Sequence, residues 1–138
     1  MKAFQYKTPR KKAVLRPRVD RPEMPRGEQL PEVLIIQGQQ AGSKEEYRLA
    51  VSLEKFKLEY EYQVYLWGGL YIVDFVVHTP VSVPVEVNGM YWHKPREDED
   101  ALRLARLAQI FRVEPVVMWD YEMGTQDEVD ALVTANLL

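Results

Sequence analysis

The chain has 138 residues, 46% of them apolar and none of them cysteine, a length that suits one ordinary domain and a composition able to fill a core. The lack of cysteine excludes a disulfide framework, a thiolate nucleophile and a sulfur-based zinc site. No apolar run approaches the roughly 20 residues that cross a bilayer, so the expectation is a soluble, cytoplasmic chain with no membrane partner.

The net charge of −3 is unevenly spread. Residues 1–26 hold nine Lys and Arg against Asp20 and Glu23, a net +7, which leaves −10 on the remaining 112 residues. Such a basic arm meets an anionic surface, most often nucleic acid, or else serves as a solubilising tail or a strap onto an acidic protein. Pro9, Pro17, Pro22, Pro25 and Pro31 favour extended backbone there. The division expected is therefore a basic, Pro-rich extended arm over residues 1–30 and a folded domain over 31–138.

Within the domain, the apolar run at 31–38 reads as an edge strand ended by Gly38, and the following GQQAG as a loop. Ser43 stands three residues before Glu46, the capping-box spacing, and Tyr47, Ala50, Val51, Glu54 and Leu58 recur at helical spacing, predicting a helix over 44–57. From Glu59 to Trp67 the residues alternate, with Tyr60, Tyr62, Val64 and Leu66 sharing one face. Gly68-Gly69 then makes a two-residue turn into LYIVDFVV, a β-hairpin. A third strand spans 83–88. Pro95 and the acids Glu97 to Asp100 suit a helix start over 95–112, with an apolar stripe of Ala101, Leu104, Ala105, Ala108 and Phe111 and with Arg103 and Arg106 off it. The run at 114–119 reads as a short parallel strand after a crossover. Thr125 and Glu128 form a second capping box, leading into a C-terminal helix.

Two residues stand out chemically. Asp74 interrupts LYIVDFVV and Glu86 interrupts VPVEVN, where buried strands call for Val or Ile, and a buried carboxylate needs a cation or hydrogen-bond donors. Alternation puts Glu86 and Asn88 on one face. Carboxylates from neighbouring strands can converge on a hard divalent ion such as Mg²⁺; the alternative is that they face solvent or pair with Arg103 or Arg106. Those arginines could equally contact phosphate or pair with Glu99 and Asp100. His93, in the loop after the third strand, is either a general acid or base or a cap on the next helix. Gln63 either orients a water or phosphate or is a polar outward-facing residue. Tyr91 and Trp92 either stack on a base or pack against the helix.

The series Glu46, Tyr62-Gln63, Gly68 to Phe75, Val85-Glu86-Val87-Asn88-Gly89 and Trp92-His93, followed by a helix with Asp100 and Arg103, resembles the PD-(D/E)XK nuclease superfamily. It looks most like the branch of very-short-patch repair endonucleases and their small relatives. The resemblance covers about residues 43–121. It implies an α/β, restriction-endonuclease-like three-layer core, a mixed central sheet flanked by helices. It further implies a Mg²⁺-dependent endonuclease acting on DNA phosphodiester bonds, with Mn²⁺ as a substitute. Asp74, Glu86 and the carbonyl of Val87 would hold the metal, and Glu46 would reach in from the first helix, directly or through a water. Asn88 stands where the family carries lysine, a role His93 or Lys94 could take. Lys11, Lys12, Arg16, Arg18 and Lys94 would contact the nucleic acid. Two rivals remain: a catalytically weakened nuclease fold serving as a nucleic-acid-binding module, and an assembly subunit strapped to a protein partner by its arm.

Overall fold

The computed structural model describes residues 29–89 and 97–138. Residues 1–28 of the expected arm, with Lys11, Lys12, Arg16 and Arg18, lie outside the described residues, as do Tyr91, Trp92, His93, Lys94 and Pro95. The described elements are β1 (Ile35–Ile36), β2 (Gln39–Gln40), α1 (Lys44–Lys55), β3 (Glu59–Leu66), β4 (Tyr71–His78), β5 (Ser82–Asn88), α2 (Glu97–Phe111), β6 (Val116–Trp119) and α3 (Gln126–Leu137). Strands β3 to β6 form one sheet in that order, antiparallel at the first two pairings and parallel between β5 and β6. Helices α1 and α3 cover one face and α2 the other, so the fold is a three-layer α/β arrangement around a mixed sheet.

The helix starts are fixed locally, by side chains that satisfy otherwise unpaired backbone donors. Ser43 Oγ accepts from the Glu46 N–H at 3.1 Å, and Thr125 and Glu128 close a reciprocal capping box. α1 is wedged between the sheet and α3, so its buried side is broader than the spacing of apolar letters suggested. Leu49, Ala50 and Leu53 face the core, while Arg48 and Ser52 are buried towards α3. Arg48 Nη1 donates to the Met123 carbonyl at 3.0 Å, and Gln126 Nε2 donates to the Arg48 carbonyl at 2.8 Å. Each fully buried Leu or Val here contributes about 1.5–3 kcal/mol.

The expected loop after Gly38 instead turns back as a strand. Gln37 (φ 48°) and Gly38 (φ 82°) are both left-handed, which is what a two-residue hairpin turn requires, and Ile36 pairs with Gln39. The Gln37 carboxamide then lies along the outer strand of the main sheet. It donates to the Tyr60 carbonyl at 2.7 Å and accepts from the Tyr62 N–H at 2.9 Å.

The β3–β4 hairpin departs from simple alternation. Tyr60, Tyr62, Phe75 and Val77 belong to the core under α1 and α3, whereas Val64, Leu66, Val73 and Val76 pack beneath α2 with Leu107. Tyr60, Tyr62, Val64 and Leu66 therefore do not share a face. Both strands change face at the facing pair Gln63 and Asp74, while the register on either side is unchanged, Tyr62 opposite Phe75 and Val64 opposite Val73. Gln63 is the residue that makes the switch, with φ at 61°. A left-handed conformation in a residue with a Cβ costs on the order of 1–3 kcal/mol and persists only where the surroundings enforce it. The connection to β4 also differs from Gly68-Gly69 alone, because Trp67–Gly69 forms a single turn of 3₁₀ helix.

On α2, Arg103 and Leu107 are buried one turn apart and Leu104 and Phe111 are partly buried, while Ala101 and Ala105 are exposed. The inward stripe is thus displaced from the expected one and includes an arginine.

Candidate functional site

The backbone pairing between β4 and β5 runs from His78 opposite Ser82 only as far as Phe75 opposite Val85. Beyond that point β4 continues to pair with β3 as far as Tyr71, and β5 continues to pair with β6 as far as Asn88. The sheet therefore forks between β4 and β5, and Asp74 and Glu86 are the first residues past the last paired position.

At the fork the two carboxylates take over from the backbone ladder. Asp74 Oδ2 accepts from the Val87 N–H at 2.8 Å, and Glu86 Oε2 accepts from the Asp74 N–H at 3.3 Å. Each acid is thus held by a backbone donor of the neighbouring strand or of its partner. Both are buried, Asp74 with 0% and Glu86 with 1% of its surface exposed, a level at which an ionised carboxylate must be compensated.

Arg103 supplies a cation. Its Nη1 lies 2.9 Å from Glu86 Oε1 and its Nη2 donates to the Ile72 carbonyl, so one guanidinium joins β5 to the diverging end of β4. The Tyr71 ring lies against it, 5.8 Å from ring centre to guanidinium carbon, and Arg106 Nη1 donates to the Tyr71 hydroxyl at 3.1 Å. Among the partnerships open to these arginines in the sequence, Arg103 makes the one with the carboxylate on β5. The sequence offers Arg103 as a partner for Glu86 but does not show its burial, since a helical stripe is ordinarily traced through apolar letters. Its four-residue spacing from Leu107, and that of Leu107 from Phe111, was the available signal.

Asn88 is buried and shares the Glu86 side of β5, because Val85 and Val87 point into the core on the other side. Glu46 is placed elsewhere. It is buried on α1 and accepts a short hydrogen bond from the Tyr62 hydroxyl, which itself accepts from the Gly42 N–H at 2.9 Å. Burial, and then the charge and hydrogen bond of Glu46, push the Tyr62 phenol above its ordinary range. Gln63 is buried rather than an outward-facing strand residue. Among the described residues no three His, Asp or Glu side chains gather at one point as direct metal ligands, Glu46 with Asp74 and Glu86 included.

The two carboxylates at the fork, on neighbouring strands, are oxygen donors of the kind a hard divalent ion prefers. Asp74, Glu86 and Val87 are the residues that would hold one. Bound there, such an ion would acidify a water and offset charge on a phosphate. Elsewhere, His78 closes β4 in contact with Ser82 and Glu61, at 2.9 and 3.1 Å, a structural position. No helix among the described residues is long and apolar enough to cross a membrane. Compared with known proteins, the chain matches no family model, no curated protein and no solved structure.

Proposed function

We propose that this chain is a Mg²⁺-dependent DNA endonuclease of the PD-(D/E)XK type on a restriction-endonuclease-like fold, with Asp74, Glu86 and the Val87 carbonyl as its metal ligands and Mn²⁺ as a substitute ion. The observation that carries the reading is the pair of buried carboxylates at the point where β4 and β5 part. A strand pair maintained for stability alone would place Val or Ile there, since each buried acid brings a desolvation cost that only specific partners offset. The metal would supply the acidified water and the charge neutralisation at phosphorus. The chain's own part is orientation: the Val87 and Asp74 N–H groups fix the two carboxylates at 2.8 and 3.3 Å. Asn88, on the same side of β5, is a neutral hydrogen-bond donor to a phosphate oxygen where the family uses a cation, and His93 or Lys94 supplies the missing charge. The basic residues Lys11, Lys12, Arg16 and Arg18 hold the nucleic acid without reading its sequence.

One observation favours a second reading, a catalytically weakened nuclease fold that binds nucleic acid. Glu86 already has a cationic partner in Arg103 at 2.9 Å. Plasmid nicking with Mg²⁺ or Mn²⁺, run beside a DNA-binding measurement, separates the two. The endonuclease nicks plasmid and the Glu86→Gln variant does not; the binding module retains both proteins on DNA with no metal-dependent nicking by either.

A further inference from the structure

A guanidinium seated on a would-be metal ligand has a role to explain. Arg103 reaches the fork from α2, almost wholly buried, and divides its two terminal nitrogens between strands: Nη1 to Glu86 on β5, Nη2 to the Ile72 carbonyl on β4. Arginine alone among the cationic side chains presents several donors in a rigid plane and keeps its charge at any ordinary pH. It can therefore neutralise a carboxylate and bridge two backbones at the same time. The Tyr71 ring lies against it from the side, and Arg106 in turn holds the Tyr71 hydroxyl.

We propose that Arg103 is a positioning residue that holds the Asp74–Glu86 fork assembled before metal arrives and thereby sets how tightly a divalent ion binds there, an inference that rests on reading those two acids as the metal pair. Two carboxylates side by side repel one another. The guanidinium relieves that repulsion in the metal-free protein, and for the same reason it weakens the attraction felt by an incoming cation. An ion drawing on Glu86 must share the carboxylate with Arg103 or displace it from Oε1. Arg103 thus trades metal affinity for a fork that is already built, which keeps the ion exchangeable.

The test uses the full chain, with thermal melts at increasing MnCl₂ and calorimetric titration of Mn²⁺ into wild type, Arg103→Met, Arg103→Lys and Arg103→Gln. In the absence of metal, Arg103→Met melts lower than wild type. Its rise in Tm on adding Mn²⁺ is larger than that of wild type, and its Kd for Mn²⁺ is tighter by about tenfold or more. Arg103→Lys, which keeps the charge and loses the bridge, stays close to the wild-type Kd. Should Arg103→Met not fold, Arg103→Gln, which retains a donor for the Ile72 carbonyl, carries the same affinity comparison. A Tm lowered equally with and without Mn²⁺, or a Kd unchanged in both neutral variants, makes Arg103 a purely structural brace and overturns the proposal. A wild-type protein that takes up no Mn²⁺ at all is a different result, and it removes the metal reading along with this one.

Discussion

Replacing Tyr62 by Phe deletes one oxygen and leaves the ring, so its packing 5.0 Å from the Phe75 ring centre is retained. What is lost is the hydroxyl between the Glu46 carboxylate and the Gly42 N–H. A hydrogen bond to a charged group contributes about 1.5–3 kcal/mol, and leaving a partly buried N–H unmatched adds up to about 1 kcal/mol, so urea unfolding near neutral pH should show a loss of about 1.5–4 kcal/mol. The same contact gives the variant a pH signature. Burial and the Glu46 charge raise the phenol above its ordinary value of 10.0. Stability from a group raised in this way is complete below the unfolded value and is lost as pH climbs towards the folded one. Wild type therefore loses stability above pH 10 that Tyr62→Phe does not, and the gap between them should narrow by about 1.4 kcal/mol by about pH 11. Other alkaline groups, Tyr60 among them, are common to both proteins and cancel in the difference. A gap below about 0.5 kcal/mol near neutrality, or one that stays constant up to pH 11, would refute the hydrogen-bonded placement of Tyr62 on Glu46.

Three further outcomes follow from the same geometry. Repulsion between Asp74 and Glu86 alone would make removal of either neutral or stabilising, but Glu86→Ala strands the Arg103 guanidinium and should cost about 3–5 kcal/mol; a Tm equal to wild type or higher contradicts the ion pair. Asp130 is pulled upward by burial but, on balance, is held below its ordinary 3.8 by Lys55 and Ser52. Its contribution is present above that value and lost as pH falls through the folded one, so Asp130→Asn should melt lower than wild type at neutral pH, by about 1 kcal/mol or less given its partial exposure, and match it in acid. In the arm, changing Lys11, Lys12, Arg16 and Arg18 together to Ala should lower the slope of log K for DNA against log salt by about 3 to 4, one counterion for each lost phosphate contact; an unchanged slope assigns the arm to a protein partner.

The sequence made Asp74 and Glu86 conspicuous because each breaks an apolar strand, and the caps at Ser43 and Thr125 were readable because they depend on residues three positions apart. The rest needed tertiary information. The face change in β3 and β4 depends on the left-handed backbone of Gln63, and nothing in the letters around a glutamine announces a positive φ. The same holds for Gln37, whose turn became visible only as half of a pair with Gly38. Arg103 falls off the apolar stripe of its helix because charge normally marks the solvent side; a pair with Glu86 is readable as one option, but only the acid waiting across the layer makes burial of the arginine favourable. Leu49 and Leu53 were passed over for a related reason: α1 is covered from two directions, and a single-stripe pattern describes a helix covered from one.

The position of the Gln37 carboxamide has a consequence for how copies of this chain meet. Strand β3 ends the sheet, and an open β edge is a template on which another chain can add itself, the first step of ordered aggregation. By engaging the Tyr60 carbonyl and the Tyr62 N–H, one side chain occupies hydrogen-bonding groups that an intruding strand would need in the first half of that edge. A short hairpin of two residues per arm thus does the work of a fifth strand without offering a further edge of comparable length.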